Sequence, residues 1–329
     1  MMKSKLMEVL EIQSVSFNQK EMFKYIEGQL KAIGCDYYVD DGNIYATKGN
    51  ANLYPCIASH MDTVHDIVSN LTAVEINGNI TGFNAKTMQQ TGIGGDDKVG
   101  IFIALQCLEK FDNIKAVFFR DEEVGCAGSY DCDVTFFNDC YFVLQCDRKG
   151  NGDFITNASG ITLSSKGFQH EIRKVMRKYK YNFNTGMMTD VMALKECGVL
   201  CSMANISCGY YNPHCKDEYV NIKDVSNCLD MVTDIIESLP VKQYDCKYSI
   251  PPVKKYKGVA AKSNKIDWDY LNNKYLDPSE DFYEDVRFKD HCGCCDEKAM
   301  LKHISEYNMD MCDKCIKAYV HLSDRQEAN

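Results

Sequence analysis

The chain has 329 residues, 45% of them hydrophobic and 26% charged, so it can bury a large core and still carry a smaller appendage. Its formal net charge of -10 argues against a general nucleic-acid binder, because such binding depends on Lys and Arg at the phosphates. Residues 1–17 hold no apolar segment of signal-peptide length, and no run of 18 apolar residues occurs. We therefore expect a cytoplasmic protein with no membrane partner.

The N-terminal region has apolar residues at helical spacing up to Ile33, and Gly34 suits a helix C-terminal cap. This pattern predicts an opening pair of helices between residues 3 and 33. Alternating residues on both sides of the turn at residues 40–42 then predict a β-hairpin.

From residue 54 onward, apolar strand-like runs at 54–59, 116–119 and 141–145 alternate with helical segments such as 99–108. The alternation predicts an α/β fold, with a mixed central sheet covered by helices on both faces. Catalytic groups in such a fold lie at the carboxyl ends of the strands.

The character of the chain changes after about residue 245, where Pro251-Pro252 and an acidic, aromatic stretch show no sustained period. We predict three parts: a catalytic domain at residues 1–245, a linker or extension at 246–290, and a small cysteine-rich module at 291–321.

The 18 cysteines divide into two groups. Thirteen are scattered singly before residue 250, which predicts reduced core residues. Two Cys-x2-Cys pairs lie in the tail with sixteen residues between them, a spacing typical of a zinc-ribbon-like structural site. The predicted zinc ligands are Cys292, Cys295, Cys312 and Cys315. Cys294 or His291 could replace one ligand, and a reactive thiol cluster is the alternative.

Five polar clusters follow the predicted strands or open a helix, and each also has a plain structural explanation. They are Ser59-His60-Met61-Asp62-Thr63, Gly95-Asp96-Asp97-Lys98, Asp121-Glu122-Glu123-Val124-Gly125, Cys146-Asp147-Arg148 and Tyr210-Tyr211-Asn212-Pro213-His214. The plain explanations are, in the same order, a capped turn, a helix N-cap, a solvated acidic loop, a salt bridge to Arg148 and a surface loop histidine.

Together and in this order, the clusters resemble the metal signature of the zinc exopeptidases related to peptidase T, the aminoacylases and carboxypeptidase G. The hairpin segment Asp41-Gly42-Asn43-Ile44 resembles the D-x-x-G-N hairpin of that family, and Gly186-Met187-Met188-Thr189-Asp190 resembles its G-x-x-S/T-D segment near the substrate pocket. The resemblance covers residues 5 to 240.

The resemblance implies two catalytic zinc ions, in addition to the structural zinc predicted in the tail. Asp96 would bridge the two ions; His60 and Asp147 would complete one site, and Glu123 and His214 the other. Glu122 would be the general base for a metal-bridged water. Asp62 would orient His60, and the peptide bond between Asp96 and Asp97 would be cis. The implied activity is exopeptidase cleavage of a small peptide, as by an aminopeptidase or a di- or tripeptidase.

One departure from the family concerns substrate binding. The interval from Arg148 to Pro213 is too short for the family's insert domain, which supplies a substrate-binding histidine. Candidate oxyanion or substrate contacts are then Tyr210, Tyr211 and Asp190, whereas His170 is expected to be a solvated helix residue. Alternatives are an N-acyl amino acid deacylase and a non-catalytic zinc-ribbon adaptor that binds a protein partner through the tail.

Overall fold

The structure is a computed structural model that describes residues 2–247 and, further along the chain, the backbone of three short strands. The chain divides into two units, Met1–Val253 and Lys254–Asn329. No helix of the described residues is long and apolar enough to cross a membrane.

The first unit contains seven α-helices among its described residues. They are α1 (Met2–Leu10), α2 (Lys20–Ile33), α3 (Gly95–Lys110), α4 (Ala127–Tyr130), α5 (Lys166–Tyr179), α6 (Asp190–Glu196) and α7 (Ile222–Ser238), with a 3-10 helix at Val134–Phe137. The predicted opening pair is confirmed as α1 and α2. Gly34 caps α2 in the left-handed conformation at φ 78°, and its N–H donates to Leu30 O.

Fourteen strands form two sheets in the described part of this unit. In chain order they are β1 (Asp36–Asp40), β2 (Asn43–Lys48), β3 (Tyr54–His60), β4 (Leu71–Ile76), β5 (Asn79–Asn84), β6 (Gln90–Thr91), β7 (Ile114–Phe119), β8 (Cys140–Arg148), β9 (Asp153–Ala158), β10 (Ile161–Thr162), β11 (Asn182–Gly186), β12 (Ser202–Ser207), β13 (Tyr210–Tyr211) and β14 (Tyr219–Asn221).

The main sheet has nine strands in the order β1-β2-β7-β3-β8-β12-β9-β10, with β11 beside β9. Its four central strands, β7, β3, β8 and β12, pair in parallel, whereas β1, β2 and β10 pair antiparallel. The predicted mixed sheet is confirmed, and so is the hairpin, in which Asp40 lies opposite Asn43. Because the central strands are parallel, their carboxyl ends meet at one edge.

Helices cover both faces of this sheet, which explains why its central strands are apolar on both sides. Residues of α1, α2, α3, α5 and α7 form one buried cluster with the sheet, and residues of α6 and the 3-10 helix form the other. The thirteen cysteines up to Cys246 are free, and ten of them are buried, as expected for reduced core residues.

A second, antiparallel sheet was not predicted. Its order is β13-β14-β5-β4, with β6 beside β5. The chain returns from β4 to β5 through Asn77 and Gly78, and β14 joins from much later in the sequence by pairing with β5. This sheet carries the segments on both sides of His214.

The second unit contains a three-stranded antiparallel sheet: β15 (Phe288–His291), β16 (Lys298–Ile304) and β17 (Met309–Cys312), with β16 in the middle. Among the predicted structural zinc ligands, Cys312 ends β17, where the backbone alone is described. Cys292, Cys295 and Cys315 lie outside the described residues.

Candidate active site

The candidate metal ligands come from five separate segments that meet at the carboxyl edge of the central strands. His60 ends β3, Asp147 lies near the end of β8, and Glu123 follows β7. Asp96 lies at the start of α3, and His214 lies in the loop between β13 and β14. Residues up to 154 positions apart in sequence are thereby brought into one group.

The first half of this group is formed by His60, Asp96 and Asp147, and each offers one ligand atom within 4.8 Å of the others. His60 Nε2 lies 3.2 Å from Asp96 Oδ1 and 3.7 Å from Asp147 Oδ1. Ligands that share one zinc at bond lengths of 2.0 to 2.2 Å are separated by about 3.3 to 3.6 Å. We call these three residues the inner half-site, because the His60 side chain is fully buried.

The second half of the group is formed by Asp96, Glu123 and His214, again with ligand atoms within 4.8 Å of one another. His214 Nε2 lies 3.1 Å from Glu123 Oε2 and 3.5 Å from Asp96 Oδ2. We call these residues the outer half-site, since 44% of the His214 side chain is exposed. The two oxygens of Asp96 therefore face different histidines, and this carboxylate belongs to both half-sites.

The backbone at the start of α3 explains how Asp96 reaches this position. Asp96 has non-helical φ and ψ of -83° and 105°, and its peptide bond to Asp97 is cis, as the resemblance implies. Asp97 is buried, and its carboxylate accepts from Gly100 N (3.0 Å) and His60 N (3.1 Å). The helix-capping explanation thus fits Asp97, while Asp96 is turned toward the two histidines.

Asp62 holds the segment that carries Glu122 and Glu123. Its buried carboxylate accepts hydrogen bonds from the backbone N–H groups of Glu122 (2.9 Å) and Glu123 (3.2 Å), and from Ser16 Oγ (2.8 Å). His60 Nδ1 lies 2.9 Å from Asp62 O and 3.3 Å from Asp62 Oδ1, so Asp62 orients the imidazole mainly through its backbone oxygen. This contact leaves His60 Nε2 for the group of carboxylates.

Glu122, the candidate base, lies beside the inner half-site with its Oε2 3.9 Å from His60 Nε2. Burial, and then the charge of Asp147, raise the pKa of Glu122 well above its ordinary value, although His60 lowers it. A raised pKa suits a group that must accept a proton and return it.

The carboxylates also change the titration of the histidines. Burial alone would lower the pKa of His60, but the charge and hydrogen bond of Asp147 raise it well above the ordinary value. Burial likewise opposes ionisation of His214, and its hydrogen bonds to Asp96 and Glu123 raise its pKa to about 11. Burial and the neighbouring charge of Asp96 raise the pKa of Asp147. The group is therefore a concentration of buried negative charge that needs cations or protons.

The residues fit a pair of zinc ions. Two imidazole nitrogens and three carboxylates are ligand types that zinc accepts. Within the described residues, the buried Glu123 Oε1 has no hydrogen-bond partner, which is costly for a carboxylate oxygen unless something else binds it. The salt bridge that would have explained Asp147 without a metal is not formed, because Arg148 Nε donates to Asp153 instead (3.0 Å).

Two residues that the sequence did not single out support the site. Fully buried Glu218 accepts from the backbone N–H groups of Gly94 (2.7 Å) and Asp96 (3.2 Å), and it lies 2.6 Å from His65 Nε2. Gln145 Nε2 donates to Asp147 Oδ2 (3.0 Å) and Asp190 Oδ2 (2.9 Å).

The candidate substrate contacts are placed differently from one another. The Tyr210 hydroxyl lies 3.3 Å from Asp147 Oδ1, so it reaches the inner half-site. The Tyr211 hydroxyl donates to Asp224 Oδ2 (2.6 Å) and its ring stacks on Tyr219, so the structure does not bring it to the group. Asp190 lies beside Glu122, and His170 is exposed on α5.

No protein-family model matches this sequence, and no curated protein has a significant sequence match to it. Solved structures do resemble the fold. The aminopeptidase PepT from Bacillus cereus ATCC 10987 gives a TM-score of 0.59 at 14% identity, over 72% of this chain and 97% of that one. The TET1 peptidase of Pyrococcus horikoshii gives 0.53 at 13% identity, over 72% and 99%.

An endoglucanase from Thermotoga maritima also matches, with a TM-score of 0.51 at 13% identity over 70% of this chain and 96% of that one. At such identities the likeness shows a shared fold, and one fold supports more than one activity. The function has therefore to be argued from the site.

Proposed function

We propose that the protein is a zinc-dependent hydrolase that cleaves an amide bond in a small peptide, with exopeptidase cleavage preferred. The observation that carries the proposal is the placement of Asp96, whose two carboxylate oxygens face His60 and His214 at 3.2 and 3.5 Å. A carboxylate placed in this way can bind two neighbouring metal ions. The aminopeptidase PepT and the TET1 peptidase, whose folds resemble this one, support the same interpretation.

In this proposal, His60, Asp96 and Asp147 hold one zinc ion, and Asp96, Glu123 and His214 hold the other. The ions would supply Lewis-acid chemistry by polarising the substrate carbonyl and lowering the pKa of a bound water. Glu122 takes a proton from the attacking water and delivers it to the leaving amine. Asp62 positions Glu122 through the backbone hydrogen bonds described above.

Tyr210 is our candidate for stabilising the oxygen that becomes negative during the attack. Its hydroxyl lies 3.3 Å from Asp147 Oδ1, and burial holds it in the low-dielectric surroundings where a hydrogen-bond donor is most effective.

We further propose that residues 1–245 form the catalytic domain, that 246–290 connect it to the tail, and that Cys292, Cys295, Cys312 and Cys315 bind one structural zinc.

The substitution Glu122→Gln tests the role of the base. We expect the kcat of the zinc-loaded chain to fall by about 10²- to 10⁴-fold on di- and tripeptides, because the amide cannot accept the proton. Zinc content should not change, since Glu122 belongs to neither half-site. Glu171→Gln, at a partly exposed residue paired with Lys242, serves as the matched control. A variant that retains full activity would show that Glu122 is not the base.

A substrate panel separates exopeptidase from deacylase activity. Peptides with a free amine, N-acetylated amino acids and peptides with an amidated C-terminus should be hydrolysed at different rates. A preference for free-amine peptides supports an aminopeptidase, whereas preferential release of acetate supports the N-acyl amino acid deacylase.

A further inference from the structure

A third group of candidate ligands lies next to the general base. Glu122, Cys126 and Asp190 each offer one ligand atom within 4.8 Å of the others, and none of the three belongs to the inner or outer half-site. Cys126 Sγ lies 3.4 Å from Glu122 Oε1. A thiolate and a carboxylate that share one zinc, with bonds of 2.3 and about 2.0 Å, are separated by about 3.5 Å.

The turn after β7 explains why the thiol lies there. Cys126 N and Gly125 N both donate to Glu122 O, at 2.8 and 3.0 Å, and both residues have positive φ, 58° and 100°. The chain therefore folds back within four residues and sets the Cys126 side chain beside that of Glu122. Cys126 and Asp190 are both fully buried.

One of the two Asp190 carboxylate oxygens lacks a hydrogen bond within the described part of the chain. Its Oδ2 accepts from Gln145 Nε2 at 2.9 Å, whereas the buried Oδ1 has no hydrogen-bond partner there. The Ser129 hydroxyl donates to Cys126 O at 3.1 Å. A fully buried carboxylate oxygen without a partner is a costly feature that a bound cation would explain.

We propose that Glu122, Cys126 and Asp190 form a third cation site that takes a thiophilic divalent ion, either zinc in excess or cadmium, and that its occupation inhibits the enzyme. The proposal rests on the proposed function in one respect: inhibition follows because a bound Glu122 cannot accept a proton. A ligand set with one thiolate selects zinc or cadmium over magnesium or calcium.

The charges of the surroundings favour such a site. Two zinc ions carry four positive charges, whereas Asp96, Glu123, Asp147, Glu122 and Asp190 carry five negative charges when ionised. On binding, the thiol proton of Cys126 leaves to solvent, and neither the metal nor the sulfur changes oxidation state. The Glu122 side chain is 14% exposed, so solvent reaches one ligand of the group.

Cadmium reports on the site through its thiolate charge-transfer absorption in the ultraviolet, which does not depend on activity. The full chain, already loaded with zinc, is titrated with cadmium chloride as wild type, Cys126→Ser, Asp190→Asn and the buried control Cys35→Ala. Serine keeps a hydrogen-bond donor for Glu122 but is a poor ligand. Absorption from the tail cysteines is common to all four proteins and cancels in the difference spectra.

We expect wild type and Cys35→Ala to show a cadmium-thiolate band that Cys126→Ser lacks and that Asp190→Asn acquires only at higher cadmium concentration. In parallel, zinc chloride in excess should inhibit wild type, and the inhibition constant should rise more than about tenfold in both site variants, each measured against its own uninhibited rate.

The proposal is overturned if no cadmium band depends on Cys126, in which case its thiol only donates to Glu122. A band that depends on Cys126 but not on Asp190 also overturns the three-ligand site. If the chain hydrolyses no peptide at all, the proposed function fails, while the cadmium titration still decides whether the third site exists.

Discussion

The inner and outer half-sites share Asp96 but differ in how the protein holds them. His60 and Asp147 sit at the ends of adjacent parallel strands, and the His60 side chain is fully buried, with Asp62 fixing its second ring nitrogen. His214 comes from a loop, has a φ of 63°, and leaves 44% of its side chain exposed. Ligands that the protein already holds in place lose less conformational entropy when an ion binds. The inner half-site should therefore hold its ion more tightly than the outer one.

Removing one histidine from each half-site gives the largest expected contrast. In the metal-free protein, His60→Ala should lower the free energy of unfolding by about 3 kcal/mol, because it leaves buried carboxylates without their partner. His214→Ala should lower it less, because 44% of the His214 side chain is exposed and solvent screens its ion pairs with Glu123 and Asp96. Urea unfolding of the metal-free proteins measures both values. Equal losses would mean that the half-sites do not differ in burial as described.

The pH dependence of zinc binding sharpens the comparison. Both histidines have raised pKa values in the metal-free protein, about 11 for His214. Their protonated forms therefore stabilise that protein at neutral pH. This stabilisation is lost as the pH rises through the raised pKa values. Zinc must displace these protons. Its affinity should therefore rise about tenfold per pH unit for each proton released, between about pH 6 and pH 8.

A competition titration with a chromophoric chelator measures this slope. His214→Ala should reduce the slope by the proton that His214 releases, while the remaining slope reports on His60 and Asp147, whose pKa values are also raised. An affinity that does not change with pH would contradict protonation of the two imidazoles in the metal-free protein.

The smallest expected effect comes from changing Glu218, which holds the backbone of Asp96, the residue that both half-sites share. Glu218→Gln keeps the size of the side chain but weakens its hydrogen bonds to Gly94 N and Asp96 N. We expect zinc affinity to fall by about tenfold while the fold persists. Glu237→Gln, at an exposed residue paired with Lys110, should leave the affinity unchanged. If both variants bind zinc equally well, Glu218 does not position Asp96.

The sequence predicted the parts of the fold that depend on local patterns. The strands β3, β7 and β8 are apolar on both faces and therefore stand out as continuous runs, and Gly34 ends α2 where a left-handed cap is required. The second sheet was missed because β4 has a single buried residue and β13 has two residues in all, so neither gives a clear alternation.

The candidate site also combines residues that the sequence predicted with residues that it did not. The candidate ligands were predicted because each lies in a short motif, and the motifs occur in a recognisable order. Gln145, Glu218 and Cys126 were missed since their importance depends on contacts that the sequence does not reveal; Glu218, for example, bonds to a backbone N–H 124 residues earlier. Gln145 lies in an apolar strand, and nothing in that pattern indicates that its side chain donates to both Asp147 and Asp190.

The central claim is that Asp96 is shared by two metal ions, and zinc counting tests it most directly. Zinc per chain is measured by mass spectrometry on the full chain as wild type, Asp96→Ala and the exposed control Asp112→Ala, each purified without added metal and checked for folding by circular dichroism. Because the tail is present in all three, its zinc cancels. We predict that wild type and Asp112→Ala hold two more zinc ions per chain than Asp96→Ala. A folded Asp96→Ala variant with the same zinc content as wild type would contradict the shared site.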